Sequence, residues 1–448
     1  MASLKNLQDL RTILSRLNAE RPAGDGNRKG ETKYQGRGDD LQKRMTLELE
    51  SRRGKARVLV TGQIGVGKSS ELLYFIHKHQ VREERSGFWV YCDLEREESP
   101  ERCGATGVFL TIFRDCWGAT RNFRNRSSLN YRFEKLFLQL RDEIIERLID
   151  WLKGKRSEDG QKVIFQFGGM DYPIFLGEQR KGEALALILG KSAQHEAVSQ
   201  RSERFGLVPD SLINLLNKLL KFLTDVFHDQ PPVLIIDHVD KIRDEPSARE
   251  SLIEVIPQWK RIEASIIMTA PYEYTLGDMR YPVENYWGKP LMVHPLEFPE
   301  LGNEDIPSFY LEIIKHCRLE NLILPKCLNS LVHFSGGIPR TFIHFLIEVC
   351  KEAHLAGHDR IEISDAQSVI YNAERAYQDY GSEELDLLDH IDQKKIGLRS
   401  AATLLRSPIG LLVMKPKKEA PGEQHLRVHP LAEKLLERYR LKREMALT

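Results

Sequence analysis

The residues Gly62-x-x-x-x-Gly67-Lys68-Ser69, in the stretch "VLVTGQIGVGKSSELL" (Val58 to Leu73), combine residue type and spacing in a way that could do chemistry. Glycines at 62, 65 and 67 let successive backbone N–H groups turn inward, so Gly62, Gln63, Ile64, Gly65, Val66, Gly67, Lys68, Ser69 and Ser70 would together cradle an anionic phosphate. The N-terminus of the following helix adds partial positive charge. Lys68 would reach the β- and γ-phosphates of ATP, and the Ser69 hydroxyl would bind Mg²⁺, an ion that prefers oxygen ligands.

Such a loop needs a strand before it and a helix after it. Val58–Thr61 supply a short apolar or β-branched run, and Leu72, Leu73, Phe75 and Ile76 recur at helical spacing beyond the glycines. A second run, "PPVLIIDHVDKI", places Val233–Ile236 directly before Asp237, as expected of a strand buried on both faces that delivers a carboxylate at its C-terminal end. There Asp237 would meet the Mg²⁺ on Ser69, a Walker B element. With the strand Phe88–Asp93 ("FWVYCD") the pattern predicts βαβ units, hence a parallel α/β sheet with right-handed crossovers.

The chain has 448 residues, enough for about three domains. Lys+Arg number 66 and Asp+Glu 65, so no global charge argues for nucleic acid or an anionic membrane. Six cysteines, at 92, 103, 116, 317, 327 and 350, form no C-x-x-C pair, which reads as reduced thiols in a cytoplasmic protein. His316, Cys317, Cys327 and His333 match no usual metal spacing and read as helix-core residues. The N-terminal segment is amphipathic, and no segment approaches the ~18 apolar residues of a membrane span.

Along the chain, residues 1–33 read as a helix and a polar linker, and 34–299 as the phosphate-binding core with an insertion at about 95–205. Leu212, Leu215, Leu216, Leu219, Leu223 and Val226 mark a helix packed on the sheet. "ASIIMTAP" gives a strand ending in Thr269, and "PLMVHPLEF" a further strand. Residues 300–381 read as helical. Residues 382–448 give helices around Leu385–Ile391 and Ser400–Leu405, two short strands ("IGLLVM" and "HLRV") and a last helix, the pattern of a winged helix.

This order of parts resembles the AAA+ and STAND branches of P-loop ATPases over roughly residues 34–440. Tyr34-Gln35-Gly36-Arg37 looks like the element that borders the adenine in initiator-type members, and Gly336-Gly337-Ile338-Pro339-Arg340 like the helical-lid motif. The resemblance implies that Arg37 and Pro339 lie near the base, that Thr269 is the sensor 1 residue beside the γ-phosphate, and that Arg340 is sensor 2. It also implies that Arg280 is roughly where oligomeric members place an arginine finger, or else an ordinary loop arginine. Most AAA+ hydrolases carry Glu after the Walker B Asp; here it is His238. D-H-V-D is closer to the STAND pattern, which makes Asp240 the candidate to position the attacking water, with His238 as a weaker candidate.

The resemblance implies an ATPase of slow turnover that acts as a nucleotide-dependent switch. In the first reading it signals to a separate effector or target protein, as in bacterial defence systems. In the second it is a DNA-handling ATPase of replication-initiator or transposition-regulator type. There Lys415, Lys417 and Lys418 of the wing, with Arg438, Arg440, Lys442 and Arg443 of the last helix, would meet phosphates. A homo-oligomer is compatible with either.

Overall fold

The structure is a computed structural model describing residues 3–17, 39–52, 54–81, 88–96, 104–126, 155–156, 162–167, 170–175, 210–226, 231–242, 245–275, 279–302, 305–375, 381–393, 412–416 and 424–447. Its centre is a parallel sheet of five strands: β1 (Arg57–Thr61), β2 (Trp89–Asp93), β6 (Val233–Asp237), β7 (Ser265–Ala270) and β8 (Leu291–Met292). They lie in the order β2-β6-β7-β1-β8. Every residue of β1, β6 and β7 is buried, which explains their nearly unbroken apolar runs.

Helices cover both faces. On one, Met45 of α2 (Asp39–Ser51) and Leu72, Phe75 and Ile76 of α3 (Lys68–Val81) pack on Val58, Val60 and Ile235. On the other, α4 (Ala105–Arg126) and α5 (Asp210–Val226) bury Val108, Phe109, Ile112, Phe113, Leu216 and Leu219 against Leu59, Val90 and Leu234. Of these two sheet-covering helices, α4 lies within the stretch of about 95–205 read as an insertion. Within it the apolar patch forms β4 (Lys162–Phe167) and β5 (Met170–Phe175), paired antiparallel, with β3 (Lys155–Arg156) beside β4.

The buried Arg57 locks the base of the sheet. Its guanidinium donates to the carbonyls of Ala264 (2.6 Å), Ile262 (2.8 Å) and Trp259 (3.0 Å), and its Nε to the Tyr286 hydroxyl. A charge so deep is tolerated because its donors find acceptors.

In the chain, α6 (Glu245–Arg249) and α7 (Ile256–Arg261) lie between β6 and β7, and α8 (Arg280–Trp287) between β7 and β8; Ala248, Trp259, Val283 and Trp287 join the core of the sheet. Four helices then form the lid: α9 (Ser308–His316), α10 (Pro325–Phe334), α11 (Pro339–Ala356) and α12 (Ile363–Arg375). After them come α13 (Ser382–Asp392), the antiparallel hairpin of β9 (Leu412–Pro416) and β10 (Gln424–Val428), and α14 (Pro430–Leu447). The first of these strands runs two residues past the end of "IGLLVM", and residues 409–411 and the expected helix at Ser400–Leu405 lie outside the described residues.

The N-terminal helix α1 (Leu7–Leu14) docks on the lid. Leu4, Leu10, Ile13 and Leu17 join one apolar cluster with Tyr310, Leu331, Phe342, Leu346 and Val349. Leu388, Ile391, Leu431 and Leu436 of α13 and α14 belong to the same cluster. Polar contacts fix the docking: the Leu4 N–H donates to the Asp359 carbonyl (3.0 Å), His354 Nδ1 lies 2.7 Å from the Leu4 carbonyl, and Arg16 donates to the His316 carbonyl (2.9 Å).

Candidate nucleotide site

The loop 62–67 leaves β1 and enters α3 at Lys68. Gly62, Gly65 and Gly67 have φ of 151°, 80° and 94°, values that L side chains rarely adopt. At Gly62 there is also no room for a side chain, because a Cβ would lie 2.4 Å from the Val293 carbonyl oxygen.

Lys68 is buried and spends its donors within the site. Nζ donates to the Gly62 carbonyl (2.8 Å) and the Gln63 carbonyl (3.1 Å), and pairs with Asp240 Oδ2 at 2.8 Å. Burial alone would raise the Asp240 carboxyl. The charge and hydrogen bond of Lys68, aided by His238 and the Thr269 hydroxyl, hold it below the usual carboxylate value.

The turn that brings Asp240 back to Lys68 is made by His238. This non-glycine residue sits in the left-handed region (φ 68°, ψ 14°), and a short 3₁₀ turn, Val239–Lys241, follows. Asp237 closes β6 fully buried. Its Oδ1 accepts the His238 N–H (2.8 Å) and its Oδ2 the Tyr91 hydroxyl (2.5 Å).

His238 is the hub. Its Nδ1 lies 2.7 Å from Asp93 Oδ1. Nε2 lies 3.1 Å from Ser69 Oγ, 3.4 Å from Glu95 Oε2 and 3.7 Å from Asp237 Oδ2. Burial lowers its pKa, but the Asp93 hydrogen bond and the Asp237 charge outweigh that, and the ring titrates above its ordinary value. The other oxygen of Glu95 pairs with Lys241.

Thr269 is the next-to-last residue of β7, which lies between β1 and β6, and stands opposite Val60; its Oγ1 accepts the Val239 N–H (3.2 Å). Ile338 caps α11, Pro339 is the first residue of that helix, and Arg340 follows. The Arg340 N–H reaches the Gly65 carbonyl at 3.4 Å, and a Cβ on Gly65 would meet Ile338 Cγ2 at 3.0 Å and Arg340 Cβ at 3.1 Å. Lid and loop thus touch directly. Arg280 begins α8 and pairs with Glu284 at 2.8 Å. Arg37 lies outside the described residues.

Asp93, Glu95 and Tyr91 were missed by sequence reasoning. The signal was there for Asp93: β2 and β6 are parallel, and Asp93 stands opposite Asp237, so both strands deliver a carboxylate at the same end of the sheet. The thiols are inert by contrast: burial pushes those of Cys317 and Cys350 up to about 12.

A glycine loop between β1 and α3, an aspartate ending β6, the Thr269 strand between them and a helical unit seated on the loop define an α/β fold with the geometry of a P-loop nucleotide-binding core. No family model matches the chain, and no curated protein matches its sequence. Among solved structures it is similar to Cdc6p from Pyrobaculum aerophilum, at 12% identity over 96% of this chain and 98% of that one, with a TM-score of 0.41. The Aeropyrum pernix ORC2 protein in its ADP form aligns at 13% identity over 95% and 96%, with a TM-score of 0.45. Drosophila ORC bound to DNA aligns at 9% over 96% and 91%, with a TM-score of 0.39. These are distant likenesses of chain path, and the chemistry of the site is read from its own residues.

Proposed function

We propose that the chain binds ATP with a divalent cation at residues 62–70, hydrolyses it slowly, and converts the state of the nucleotide into movement of the lid. The observation that carries this reading is the convergence of Lys68, Ser69 and Asp237 at the carboxyl ends of β1 and β6, beneath a loop of three glycines in the left-handed region. That donor set fits a nucleotide. Lys68 provides three N–H donors now shared among two carbonyls and a carboxylate, while Ser69 and Asp237 provide oxygens for a cation. A bound cation would offset phosphate charge.

An arriving phosphate takes Lys68 from Asp240. The freed carboxylate, beside Thr269 and at the mouth of the loop, is then the group to orient the attacking water. Arg340 and Pro339 sit where loss of the γ-phosphate is felt by α11. On this reading residues 34–299 are the ATPase core, 300–381 the lid and 382–448 a winged-helix-like unit, in a protein that works in the cytoplasm. Calorimetric titration with ATP tests the site: Lys68→Ala should abolish binding, and unchanged affinity in that variant overturns the assignment.

A second reading, DNA as the target of the switch, is supported by the β9–β10 hairpin followed by α14, which has the order of a wing and its helix. The basic residues of α14 do not all serve it. Arg440 pairs with Asp389 and Asp392, and Arg443 with Asp386, which leaves Lys415 with Arg438 and Lys442 as the phosphate contacts of this reading; Lys417 and Lys418 lie outside the described residues. A salt-dependent mobility shift with duplex DNA separates this reading from signalling to an effector protein; a homo-oligomer suits both.

A further inference from the structure

We infer that His238 and Glu95 join Ser69 and Asp237 as ligands of the cation, and that the site consequently takes a first-row divalent ion such as Mn²⁺ in preference to Mg²⁺. The inference rests on the reading that this site holds an ATP-bound cation. Three oxygens surround His238 Nε2: Ser69 Oγ at 3.1 Å, Glu95 Oε2 at 3.4 Å and Asp237 Oδ2 at 3.7 Å. Donors bound to one ion about 2.1 Å away from each stand about 3 to 3.5 Å apart, the range in which Ser69 Oγ and Glu95 Oε2 stand from Nε2, with Asp237 Oδ2 just outside it.

The ring is oriented for this role. With a cation bound, Asp93 Oδ1, 2.7 Å from Nδ1, would accept the proton of that nitrogen and leave the Nε2 lone pair to the ion, the arrangement by which carboxylates orient metal-binding imidazoles. His238 has little freedom to turn away, because its ring is buried and its left-handed backbone is pinned by the bond from its own N–H to Asp237. Asp93, Glu95 and His238 also offer ligand atoms that all lie within 4.8 Å of one another.

Ligand chemistry decides the preference. Mg²⁺ favours an all-oxygen shell and keeps several waters, whereas a site that includes a nitrogen donor favours first-row ions over it, least strongly Mn²⁺ and more strongly Fe²⁺ and Zn²⁺. In this chain an imidazole follows Asp237 directly, so the ion meets a nitrogen donor as soon as it meets the loop.

Electron spin echo spectroscopy of the full chain with Mn²⁺ and a non-hydrolysable ATP analogue tests this. The expected result is a coupling from imidazole ¹⁴N in the wild type that is absent in His238→Ala. The ratio of Mn²⁺ to Mg²⁺ affinity should fall at least tenfold in that variant. Asp93→Asn, which keeps the shape of the side chain, should weaken Mn²⁺ by roughly 10- to 100-fold, the usual scale for the outer partner of a ligating histidine. No nitrogen coupling in a wild-type protein that demonstrably holds nucleotide overturns the inference, as does a metal preference unchanged in His238→Ala. Failure of the wild type to bind the analogue at all would instead overturn the ATP reading itself.

Discussion

Lys68 and Asp240 form a buried ion pair, Nζ to Oδ2 at 2.8 Å, inside the loop that is to receive phosphate. The lysine charge on which the proposed nucleotide binding would depend is therefore already matched by a carboxylate of the same chain. A phosphate must compete for it, and the competition couples binding to release of Asp240.

Asp240→Asn separates the two roles of this carboxylate. Without nucleotide the variant should lose roughly 3 kcal/mol of stability, because a buried lysine loses its counter-charge. ATP affinity should rise, since the phosphate no longer displaces a carboxylate, while kcat should fall by about 10²-fold if Asp240 orients the water. Thermal melts, calorimetry and phosphate release read the three effects. Normal kcat with lowered stability would make Asp240 a latch on Lys68 and nothing more.

Asp237→Ala should remove the cation dependence of nucleotide binding. Its carboxylate is fully buried and already oriented by Tyr91 and by the His238 N–H, so the variant loses a positioned ligand. Titration of ATP with and without metal checks it, and dependence that survives means that the cation sits elsewhere.

Gly337→Ala probes the seat of the lid. At φ 78° an added Cβ would lie 2.2 Å from the Leu296 carbonyl oxygen, and the Leu296 N–H bond to the Gly337 carbonyl (2.8 Å) would have to shift. Strain and clash together should cost about 2–4 kcal/mol. A melting temperature equal to that of the wild type would show that this loop yields without cost.

His429 makes stability fall in acid. It is buried, its Nε2 lies 3.3 Å from the Ser335 carbonyl, and burial lowers its pKa to about 4. The unfolded chain takes up a proton near pH 6.5 and the folded chain only near 4, so stability is full above 6.5 and is lost progressively down to about 4. The change is of order 3 kcal/mol. Denaturant melts of His429→Gln should lack this part of the pH dependence.

Much of the nucleotide site was legible in the sequence because its parts are local: a glycine loop between a strand and a helix, and an apolar run ending in Asp237. Thr269 was placed by strand order alone. The links to Asp93, Glu95 and Lys68 depend on a left-handed His238, which no propensity forecasts, and on a register between strands far apart in the chain. The docking of α1 was hidden for a related reason. Its amphipathic pattern announces a buried face, and nothing local names the partner.

The single apolar cluster shared by α1, the lid and the C-terminal unit has a mechanical consequence. Parting any of them would bare Leu10, Phe342, Leu388 or Leu431 to water, so they act as one lever arm with its fulcrum where Arg340 meets Gly65. On the proposed function, a rotation at that fulcrum would carry α1, the lid and α14 together. Spin labels on α1 and α14 should keep their mutual distance when ATP is added, while each moves relative to α5.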